Sequence, residues 1–350
     1  MVGMINVYKE RDFTSNDVVA KLRGILKFKK IGHTGTLDPM AEGVLPVCLG
    51  KATKLCDMLM DDKKEYVARF ILGIKSDTQD VTGNIEAVKA YDVKNETKAD
   101  GAGGTEDTCA EIEKKIKSVA AGFIGEQEQL TPMYSARKVA GKKLYEYARA
   151  GVEVERPKKK ITIFDISDVA VKAVNACDIA ESSKKFDNVS ADGNDGISEL
   201  LNDNYPGGMY EVSMRVLCSK GTYIRTLCHD IGEALGCGGC MSALTRTKTG
   251  IFTLENALKL GEIEELAKAG RIDAAIIDPE TVFLSAPKLD VEGENVSRVN
   301  NGNYLEIDTD ATDDLYFLKD GNFVRIYIGG SFNSVYEKDG KRLKHRISFV

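Results

Sequence analysis

The chain has 350 residues, 43% of them hydrophobic, and carries 48 Lys and Arg against 54 Asp and Glu, for a formal net charge of −6. This length is enough for two domains with hydrophobic cores. No apolar run approaches the roughly 20 residues of a transmembrane helix, and residues 1–6 lack the basic and apolar regions of a signal peptide. We therefore expect a cytoplasmic protein that does not bind membranes.

The first quarter of the sequence predicts one helix and one strand. Residues 14–17, Thr-Ser-Asn-Asp, form an N-cap cluster that opens a helix ending at residues 27–30. Residues 66–72 are rich in β-forming side chains and predict a strand, and the following residues 77–83 are rich in turn formers.

Two polar segments interrupt the middle of the chain. Residues 92–110 are acidic and Gly-rich, which predicts a surface loop or local disorder, and the apolar spacing of residues 110–123 predicts an amphipathic helix. Residues 161–174 predict a strand. Residues 175–204 contain little apolar sequence and predict an inserted flexible loop.

The last third changes from mixed to β-rich. Residues 210–217 predict a strand by alternation, and residues 223–235 and 254–269 predict helices. From about residue 287, short strand patterns separated by turns such as Asp339-Gly340 predict a small β-rich domain.

Charge is unevenly distributed along the chain. Residues 137–160 contain nine Lys and Arg against three Glu, whereas residues 175–204 contain seven acidic residues against two Lys, and residues 290–314 contain eight against one Arg. A basic strip on an acidic protein can bind phosphates, because salt screens charges beyond about 10 Å. The alternative is a solvated helix face, which is what most charge runs form.

Residues 32–46, with the sequence GHTGTLDPMAEGVLP, place one aspartate in a run of turn-forming residues. Glycines permit backbone conformations and close approaches that other residues cannot reach. Pro39 fixes its own φ and pushes Asp38 toward the extended region, so the carboxylate points in a restricted direction. An ordinary turn is the alternative interpretation of this Asp-Pro pair.

Several separate segments resemble the same family. They are residues 32–54 with GHTGTLD, 133–138 with MYSARK, 141–149 with GKKLYEYAR, 218–227 with CSKGTYIRTL and 244–247 with LTRT. This set is similar to the motifs of the TruB-type tRNA pseudouridine synthases. Lys9 and Thr14-Ser15 resemble the family's N-terminal block, in which Glu10 and Asp12 stand where the family commonly has Pro and Gly.

The resemblance implies three catalytic residues. Asp38 is the family's catalytic aspartate, and Arg225 matches the arginine that pairs with it. A nearby guanidinium favours the ionised carboxylate and holds its orientation. Tyr66 matches the tyrosine that stacks on the flipped base and helps proton transfer. Without the resemblance, Arg225 would be a surface charge or structural ion pair, and Tyr66 a packing residue of a strand.

The resemblance also implies six substrate-binding residues, which are His33, Leu244, Lys9, Lys138, Lys220 and Tyr223. Leu244 matches the apolar residue beneath the target base, and His33 matches the histidine that contacts the RNA loop. Lys9 and the basic strip at residues 137–160 would meet phosphates, so binding should depend on salt. Core packing is the alternative for Leu244, and a structural role is the alternative for His33.

The implied reaction is the isomerisation of uridine to pseudouridine at position 55 in the TΨC loop of tRNA. It breaks a C–N glycosidic bond, rotates the base and forms a C–C bond, so it requires no redox change, metal or cofactor. A carboxylate can act as a nucleophile or stabilise positive charge at the sugar carbon. The uridine must leave its stack, which costs a few kcal/mol and requires an aromatic platform.

The implied fold is α/β (α+β), with a catalytic domain around a mixed, mostly antiparallel sheet over residues 1–253. Polar insertions interrupt it at about 92–110 and 175–205. A helical linker at 254–284 leads to a small β-rich, PUA-like RNA-binding domain at 285–350. We expect a monomer that requires no protein partner.

The eight cysteines do not suggest a disulfide scaffold, because the chain is long and their spacing irregular. Only Cys237 and Cys240 are spaced like metal ligands, and a zinc site would need a second pair or suitable histidines. In the resembling family this position is a loop after a helix, so Cys237 should be a loop residue and Cys240 a core residue. A metal or redox protein stays an alternative.

Two further alternatives involve RNA. A related RNA-guided synthase of the dyskerin type shares the Gly-Thr-Leu-Asp core, but His33-Thr34 and the LYEYAR block favour the stand-alone enzyme. A non-catalytic tRNA-binding or tRNA-folding protein would share the basic and aromatic features without needing Asp38 as a carboxylate.

Overall fold

The computed structural model describes residues 1–88, 105–174, 209–307, 315 and 317–350. Most of the two predicted insertions, at 92–110 and 175–205, therefore lies outside the described residues. Within those residues, no helix is both long enough and apolar enough to cross a membrane. The chain divides into two compact units. Unit 1 comprises Met1–Asp38, Gly43–Met60 and Ile251–Val350, and unit 2 comprises Pro39–Glu42 and Asp61–Gly250.

Unit 1 begins with the antiparallel strands β1 (Gly3–Lys9), β2 (Ile31–His33) and β3 (Glu42–Leu49). Strand β3 pairs with both β1 and β2. Nearly all of β3 is buried, which explains its almost continuous apolar sequence. A 3₁₀ turn over Gly50–Leu55 then leads into the short helix α2 (Cys56–Met60), which follows helix α1 in the chain.

Helix α1 (Ser15–Leu26) begins where the N-cap cluster predicts it. The Thr14 hydroxyl accepts a hydrogen bond from the Asp17 N–H at 3.1 Å, and the Asp17 carboxylate accepts one from the Thr14 N–H at 2.9 Å. These two bonds form a capping box. The helix ends at Leu26, just before the predicted end, because Lys27 adopts a left-handed conformation with φ 48°.

Unit 2 is built on an antiparallel sheet. Its strands are β4 (Lys64–Leu72), β5 (Ile74–Ser76), β6 (Ile85–Ala87), β7 (Gly125–Leu130), β8 (Lys138–Val139), β9 (Lys142–Lys143), β10 (Lys158–Val174), β11 (Met209–Cys218) and β12 (Gly239–Thr249). Five of them form one sheet in the order β12-β4-β11-β10-β7. The others form the hairpins β5-β6 and β8-β9. The strands predicted at residues 66–72, 161–174 and 210–217 are confirmed.

Three helices belong to unit 2, namely α3 (Thr105–Ala121), α4 (Leu144–Arg149) and α5 (Ile224–Ala234). Helix α3 packs against β10 and α5 against β12. Helix α5 confirms the prediction for residues 223–235. Helix α3 begins earlier than predicted, so the loop prediction is wrong over residues 105–110. The sequence Thr-Glu-Asp at 105–107 favours a helix start there, since acidic residues stabilise the first turn.

After β13 (Phe252–Thr253), the single helix predicted for residues 254–269 is interrupted. A 3₁₀ turn over Leu254–Asn256 is followed by extended residues, and α6 (Leu260–Lys268) begins only after them. Leu258 causes the interruption because it pairs with β1. Its N–H donates to the Asn6 carbonyl at 2.9 Å, and its carbonyl accepts from the Tyr8 N–H at 2.8 Å. A contact distant in sequence therefore overrides the local helical pattern.

The last part of unit 1 is β-rich, as predicted. It contains helix α7 (Glu294–Asn300) and the strands β14 (Lys288–Val291), β15 (Leu305–Glu306), β16 (Phe323–Ile328), β17 (Ser331–Asp339) and β18 (Arg342–Ser348). The sheet order is β14-β16-β17-β18-β15, with one parallel pair, β14-β16. This sheet shares a core with β1 and β3 that includes Met4, Val44, Val335 and Phe349. The α/β class is confirmed, whereas the domain boundaries stay predictions.

Gly232 marks a close approach of α5 to the start of β12. An ideal Cβ there would lie 2.2 Å from the nitrogen of Gly239 and 2.3 Å from the carbonyl carbon of Gly238. We expect Gly232→Ala to lower the free energy of unfolding by roughly 1–3 kcal/mol, because backbone atoms must move. Urea unfolding followed by circular dichroism measures this change.

The control for this prediction is Gly24→Ala in α1. A Cβ on Gly24 would meet no atom within 4 Å, so alanine should raise the free energy of unfolding by roughly 0.5–1 kcal/mol. If Gly232→Ala unfolded at the same urea concentration as the wild type, the close approach of α5 to β12 would be contradicted.

Candidate active site and RNA-binding residues

The loop that carries Asp38 is held to the rest of unit 1 at two points. The Thr34 N–H donates to the Pro46 carbonyl at 3.1 Å, and the Leu37 N–H donates to Ser15 Oγ at 2.9 Å. Gly35, with φ 135°, supplies a conformation that side-chain-bearing residues rarely adopt. Asp38 itself is half-buried. The predicted fixed presentation of its carboxylate is thus supported by two hydrogen bonds from the backbone that precedes it.

Ser15 connects two sequence blocks that are well separated in the chain. It is the first residue of α1, and its buried hydroxyl accepts the bond from Leu37 immediately before Asp38. The adjacent Thr14 caps the same helix. The Thr-Ser pair therefore has two structural roles. Thr14 caps α1, and Ser15 hydrogen-bonds the Asp38 loop to that helix.

Lys9 has a structural role in the turn that precedes α1. Its side chain is fully buried, and its ammonium donates to the carbonyls of Glu10 at 3.1 Å and Phe13 at 2.6 Å. Its contact with a phosphate stays a prediction. In this turn Asp12 has φ 70°, which explains why the resembling family commonly has glycine there.

His33 ends strand β2, opposite Val47 of β3, and is half-buried. Its Nδ1 accepts a long hydrogen bond of 3.4 Å from the Gly35 N–H. An accepting Nδ1 places the ring proton of the neutral imidazole on Nε2. This bond gives His33 a local structural role, and its contact with RNA stays a prediction.

Tyr66 and Leu244 share one face of the unit 2 sheet. Tyr66 of β4 lies opposite Arg246 of β12, and Ala68, two residues later on β4, lies opposite Leu244. Opposed residues and residues two apart on a strand point to the same side. Tyr66 and Leu244 are 8% and 7% exposed, so both belong to a nearly closed apolar layer.

Two cations that the sequence analysis did not select lie on the same face as Tyr66. Lys64 is 5% exposed and Arg246 is 1% exposed. Burial and the nearby Arg246 guanidinium lower the pKa of Lys64 to about 8. The Lys64 ammonium donates to the Asp62 carbonyl at 2.6 Å. Buried positive charge makes this face favourable for an anionic group.

Arg225 forms a buried ion pair within unit 2. Its Nη1 lies 3.5 Å from Oδ2 of Asp80, and the two side chains are 7% and 4% exposed. Its Nη2 donates to the Tyr134 carbonyl. The Tyr223 ring centroid lies 5.9 Å from the guanidinium carbon. The guanidinium is therefore fixed from several directions.

Asp80 is itself tightly held. Its Oδ1 accepts from the Thr78 hydroxyl at 2.8 Å and from the Thr82 N–H at 3.0 Å. The turn around it pairs with Met241 of β12, because the Val81 N–H donates to the Met241 carbonyl at 2.9 Å. The turn predicted at residues 77–83 is confirmed, and its function is to position the partner of Arg225.

The basic strip includes a group of cations next to a groove. Lys138 and Lys220 are exposed, and Lys220 forms an ion pair with Asp61. The Lys159 ammonium donates to the Lys220 carbonyl at 3.3 Å. Partial burial, followed by the charges of Arg137 and Lys220, lowers the pKa of Lys159. The groove beside Lys159 and Lys220 has a volume of about 480 Å³.

Tyr223 is positioned through its backbone. Its N–H donates to Gln129 Oε1 at 2.8 Å, and its carbonyl accepts from Gln129 Nε2 at 2.9 Å. Gln129 is buried on β7. This two-point contact fixes the start of α5 and hence the direction in which Arg225 leaves the helix.

Cys237 and Cys240 lie in the loop and the core positions that the resemblance implies. Both thiols are buried, and burial raises the pKa of Cys237 to about 11 and that of Cys240 well above its usual range. Across the described residues, no group of three or more His, Cys, Asp or Glu side chains could hold a metal ion. A protonated, buried thiol is a poor nucleophile and a poor metal ligand.

Comparison with known proteins decides the family. Residues 23–185 match the family model "TruB family pseudouridylate synthase (N terminal domain)", and residues 225–283 match "tRNA pseudouridylate synthase B C-terminal domain". The chain is 44% identical to tRNA pseudouridine synthase B of Lachnoclostridium phytofermentans, covering 98% of this chain and 97% of that protein. It is 38% identical to the protein of the same name from Oceanobacillus iheyensis, over 93% and 92%. The chain belongs to the TruB family.

Solved structures resemble this TruB-family chain over almost its whole length. A crystal structure of a Cbf5-Nop10-Gar1 complex matches with a TM-score of 0.61 and 25% identity, covering 99% of this chain and 85% of that chain. A structure of an H/ACA RNP bound to a substrate RNA containing 2'-deoxyuridine matches with a TM-score of 0.60 and 23% identity, over 99% and 85%. The predicted pseudouridine-synthase fold is confirmed.

Several residues of this TruB-family site were missed by sequence reasoning. Asp80 and Gln129 lie far in sequence from the residues they position, at separations of 145 from Arg225 and 94 from Tyr223. Lys64 offered a local signal, because it precedes Tyr66 by two residues, and extending the predicted strand by one turn of alternation would place both on one face. Arg246 follows Leu244 by two residues in the LTRT block, and residues two apart on a strand share a face.

Proposed function

We propose that this TruB-family protein converts uridine 55 in the TΨC loop of tRNA to pseudouridine, with Asp38 as the essential carboxylate. The observation that carries the proposal is the Asp38 loop, which is fixed at two points before Asp38 by the bonds of Thr34 and Leu37. A rigid loop of this kind presents a carboxylate without a further ordering cost during the reaction. The relatives named tRNA pseudouridine synthase B support the same activity.

The reaction that we propose is an isomerisation in which all atoms of the uridine are retained. The C–N glycosidic bond breaks, the base rotates, and the same sugar carbon forms a C–C bond with C5. The hydrogen on C5 leaves as a proton and N1 takes up a proton, so the composition of the nucleoside is unchanged. The carboxylate of Asp38 either attacks as a nucleophile or stabilises positive charge at the sugar carbon. Neither route requires a cofactor.

Arg225, Tyr66 and Leu244 complete the proposed chemistry. We propose that Arg225 pairs with the Asp38 carboxylate during the reaction and holds its orientation. Tyr66 would stack on the flipped base and help proton transfer, and Leu244 would support the base from the same sheet face. The buried charges of Lys64 and Arg246 on this face favour the anionic backbone of the flipped nucleotide.

The RNA would bind along the basic strip. Lys138 and Lys220 are exposed and available to phosphates, and His33 and Tyr223 would contact the loop nucleotides. We propose that the β-rich part at residues 285–350 acts as a PUA-like domain on the acceptor side of the tRNA. The protein would act in the cytoplasm, as a monomer and without a protein partner.

The test of this function is tritium release from tRNA. The purified protein alone should release about one tritium per tRNA from a transcript labelled at uridine C5, since forming the new bond expels that hydrogen. A transcript with cytidine in place of uridine 55 should lose none. Release that persists without uridine 55 would move the target to another position. Tight binding without release would favour a guide-dependent synthase or an RNA-binding protein.

A further inference from the structure

Two cysteines of unit 1 converge beside the strand that leads into the Asp38 loop. Cys48 lies in β3 and is fully buried, whereas Cys56 begins α2 and is half-buried. Cys48 lies directly opposite Gly32 of β2. An ideal Cβ on Gly32 would lie 3.2 Å from Cys56 Sγ. Since opposed residues have Cβ positions about 5 Å apart, both cysteine side chains approach the same point above Gly32.

The interaction between the two thiols raises the pKa of Cys48, with burial adding to the effect, and lowers the pKa of Cys56. Cys56 is therefore the thiol with more thiolate character, and it is also the more exposed of the two, which are the properties of a reactive thiol.

We propose that Cys48 and Cys56 form a reversible disulfide, and that its formation slows the reaction by displacing the strand that precedes the Asp38 loop. The arrangement is that of a reactive thiol next to a resolving thiol. An attack by Cys48 is intramolecular, so the complete burial of Cys48 is no obstacle to it. The effect on the reaction rests on the proposed function, whereas the disulfide does not.

The oxidant that we propose is a small-molecule disulfide such as oxidised glutathione. The Cys56 thiolate attacks one sulfur of the oxidant, forming a mixed disulfide and expelling one thiolate, which takes up the proton that Cys56 has lost. Cys48 then loses its proton and attacks the Cys56 sulfur, which expels the second small thiol. Two protein thiols are oxidised, and one small disulfide is reduced to two thiols.

Disulfide formation would displace the backbone at Gly32. It fixes the sulfur–sulfur separation at about 2.05 Å. Cys56 is already in tight contact with Gly32, and Cys48 is paired with it across the sheet. His33 and Thr34, which follow Gly32, hold the start of the loop to Gly35 and Pro46. A shift of the two sulfurs is therefore transmitted to the anchored end of the loop.

The first experiment tests the disulfide alone. The native protein is incubated with oxidised glutathione, alkylated and digested without reduction, and its peptides are identified by mass spectrometry. We expect a cross-linked pair containing Cys48 and Cys56, lighter by two hydrogens and reversed by dithiothreitol. In Cys48→Ser the mixed disulfide on Cys56 should persist, and in Cys56→Ser residue Cys48 should stay reduced. A mixed disulfide that persists on Cys56 in the wild type would overturn the proposal.

Other cysteines serve as internal controls for this experiment. Cys228 and Cys240 are fully buried in unit 2, and burial raises the pKa of both, so they should stay reduced in the native protein. Cys109 is partly exposed on α3 and should form only a mixed disulfide. Reaction of Cys228 and Cys240 as fast as Cys56 would mean that oxidation follows unfolding, and would overturn the proposal.

A second experiment tests the effect on activity. Tritium release by the oxidised wild type should fall several-fold and recover with dithiothreitol, while Cys56→Ser treated in parallel, in which Cys48 stays reduced, should show no such reversible loss. Unchanged release by fully cross-linked protein would overturn the proposed slowing. If the reduced wild type released no tritium at all, the proposed function would fail instead, and the cross-link would still be tested by its mass.

Discussion

Asp38→Asn is expected to abolish pseudouridine formation, reducing the rate of tritium release by more than about 10⁴-fold, the scale of losing an essential nucleophile. Asparagine keeps the shape of the side chain and removes its charge, so it can neither attack the sugar carbon nor stabilise positive charge there. Single-turnover release from labelled tRNA, with enzyme in excess, measures the chemical step directly.

Two further variants show whether the charge of Asp38 or its position is decisive. Asp38→Glu keeps the charge but moves the carboxylate by about one methylene, and misplacement of about 1 Å costs about 10²-fold. Glu42→Gln removes the other carboxylate of the same motif and should keep the rate within about tenfold. Full activity of Asp38→Asn, with correct tRNA binding, would remove Asp38 from its proposed role.

tRNA affinity should change little in Asp38→Asn, because the proposed phosphate contacts of exposed cations such as Lys138 and Lys220 would dominate binding. A variant that binds like the wild type but does not react would separate chemistry from recognition. If binding and release were lost together, with an unfolding transition shifted to lower urea concentration, the Asp38 loop would have a structural role.

Local features of this fold are the ones that the sequence predicts. The capping box at Thr14 and Asp17 depends on residues three apart, so the start of α1 is visible in the sequence. The strand at residues 66–72 follows from its own alternation and β-forming side chains. The Asp38 turn is likewise local, since Gly35 permits a left-handed backbone conformation before Asp38 and Pro39 restricts the backbone after it.

Features that depend on distant contacts are the ones that the sequence does not show. The interruption between residues 254 and 260 arises from pairing of Leu258 with β1, and no property of the local sequence indicates it. Lys9 is a residue type that commonly binds phosphate, yet its ammonium is enclosed by the carbonyls of its own turn. Asp80 is a turn residue by sequence, and only the folded chain places it beside Arg225.

The Arg225–Asp80 pair is the second test with a large expected effect. Both side chains are almost fully buried, and removing one partner of such a pair leaves an uncompensated charge, at a cost of roughly 3–5 kcal/mol. We expect Asp80→Asn and Arg225→Met each to lower the free energy of unfolding by about this amount, measured by urea unfolding. Arg225→Lys should not restore stability, because one ammonium cannot replace the planar fork that contacts both Asp80 and the Tyr134 carbonyl.

The double variant measures the interaction between the Asp80 and Arg225 side chains apart from their contacts with other residues. If the two charges compensate each other, Asp80→Asn combined with Arg225→Met should cost at least about 1 kcal/mol less than the sum of the single changes. Arg215→Met is the matched control, since Arg215 pairs with Glu65 and Asp168 but is 38% exposed, and it should cost less than about 1 kcal/mol. Additive losses at Asp80 and Arg225 would mean that the two charges do not stabilise each other.

Since Arg225 is also proposed to act on Asp38, the single variants should lower tritium release even at temperatures where they stay folded.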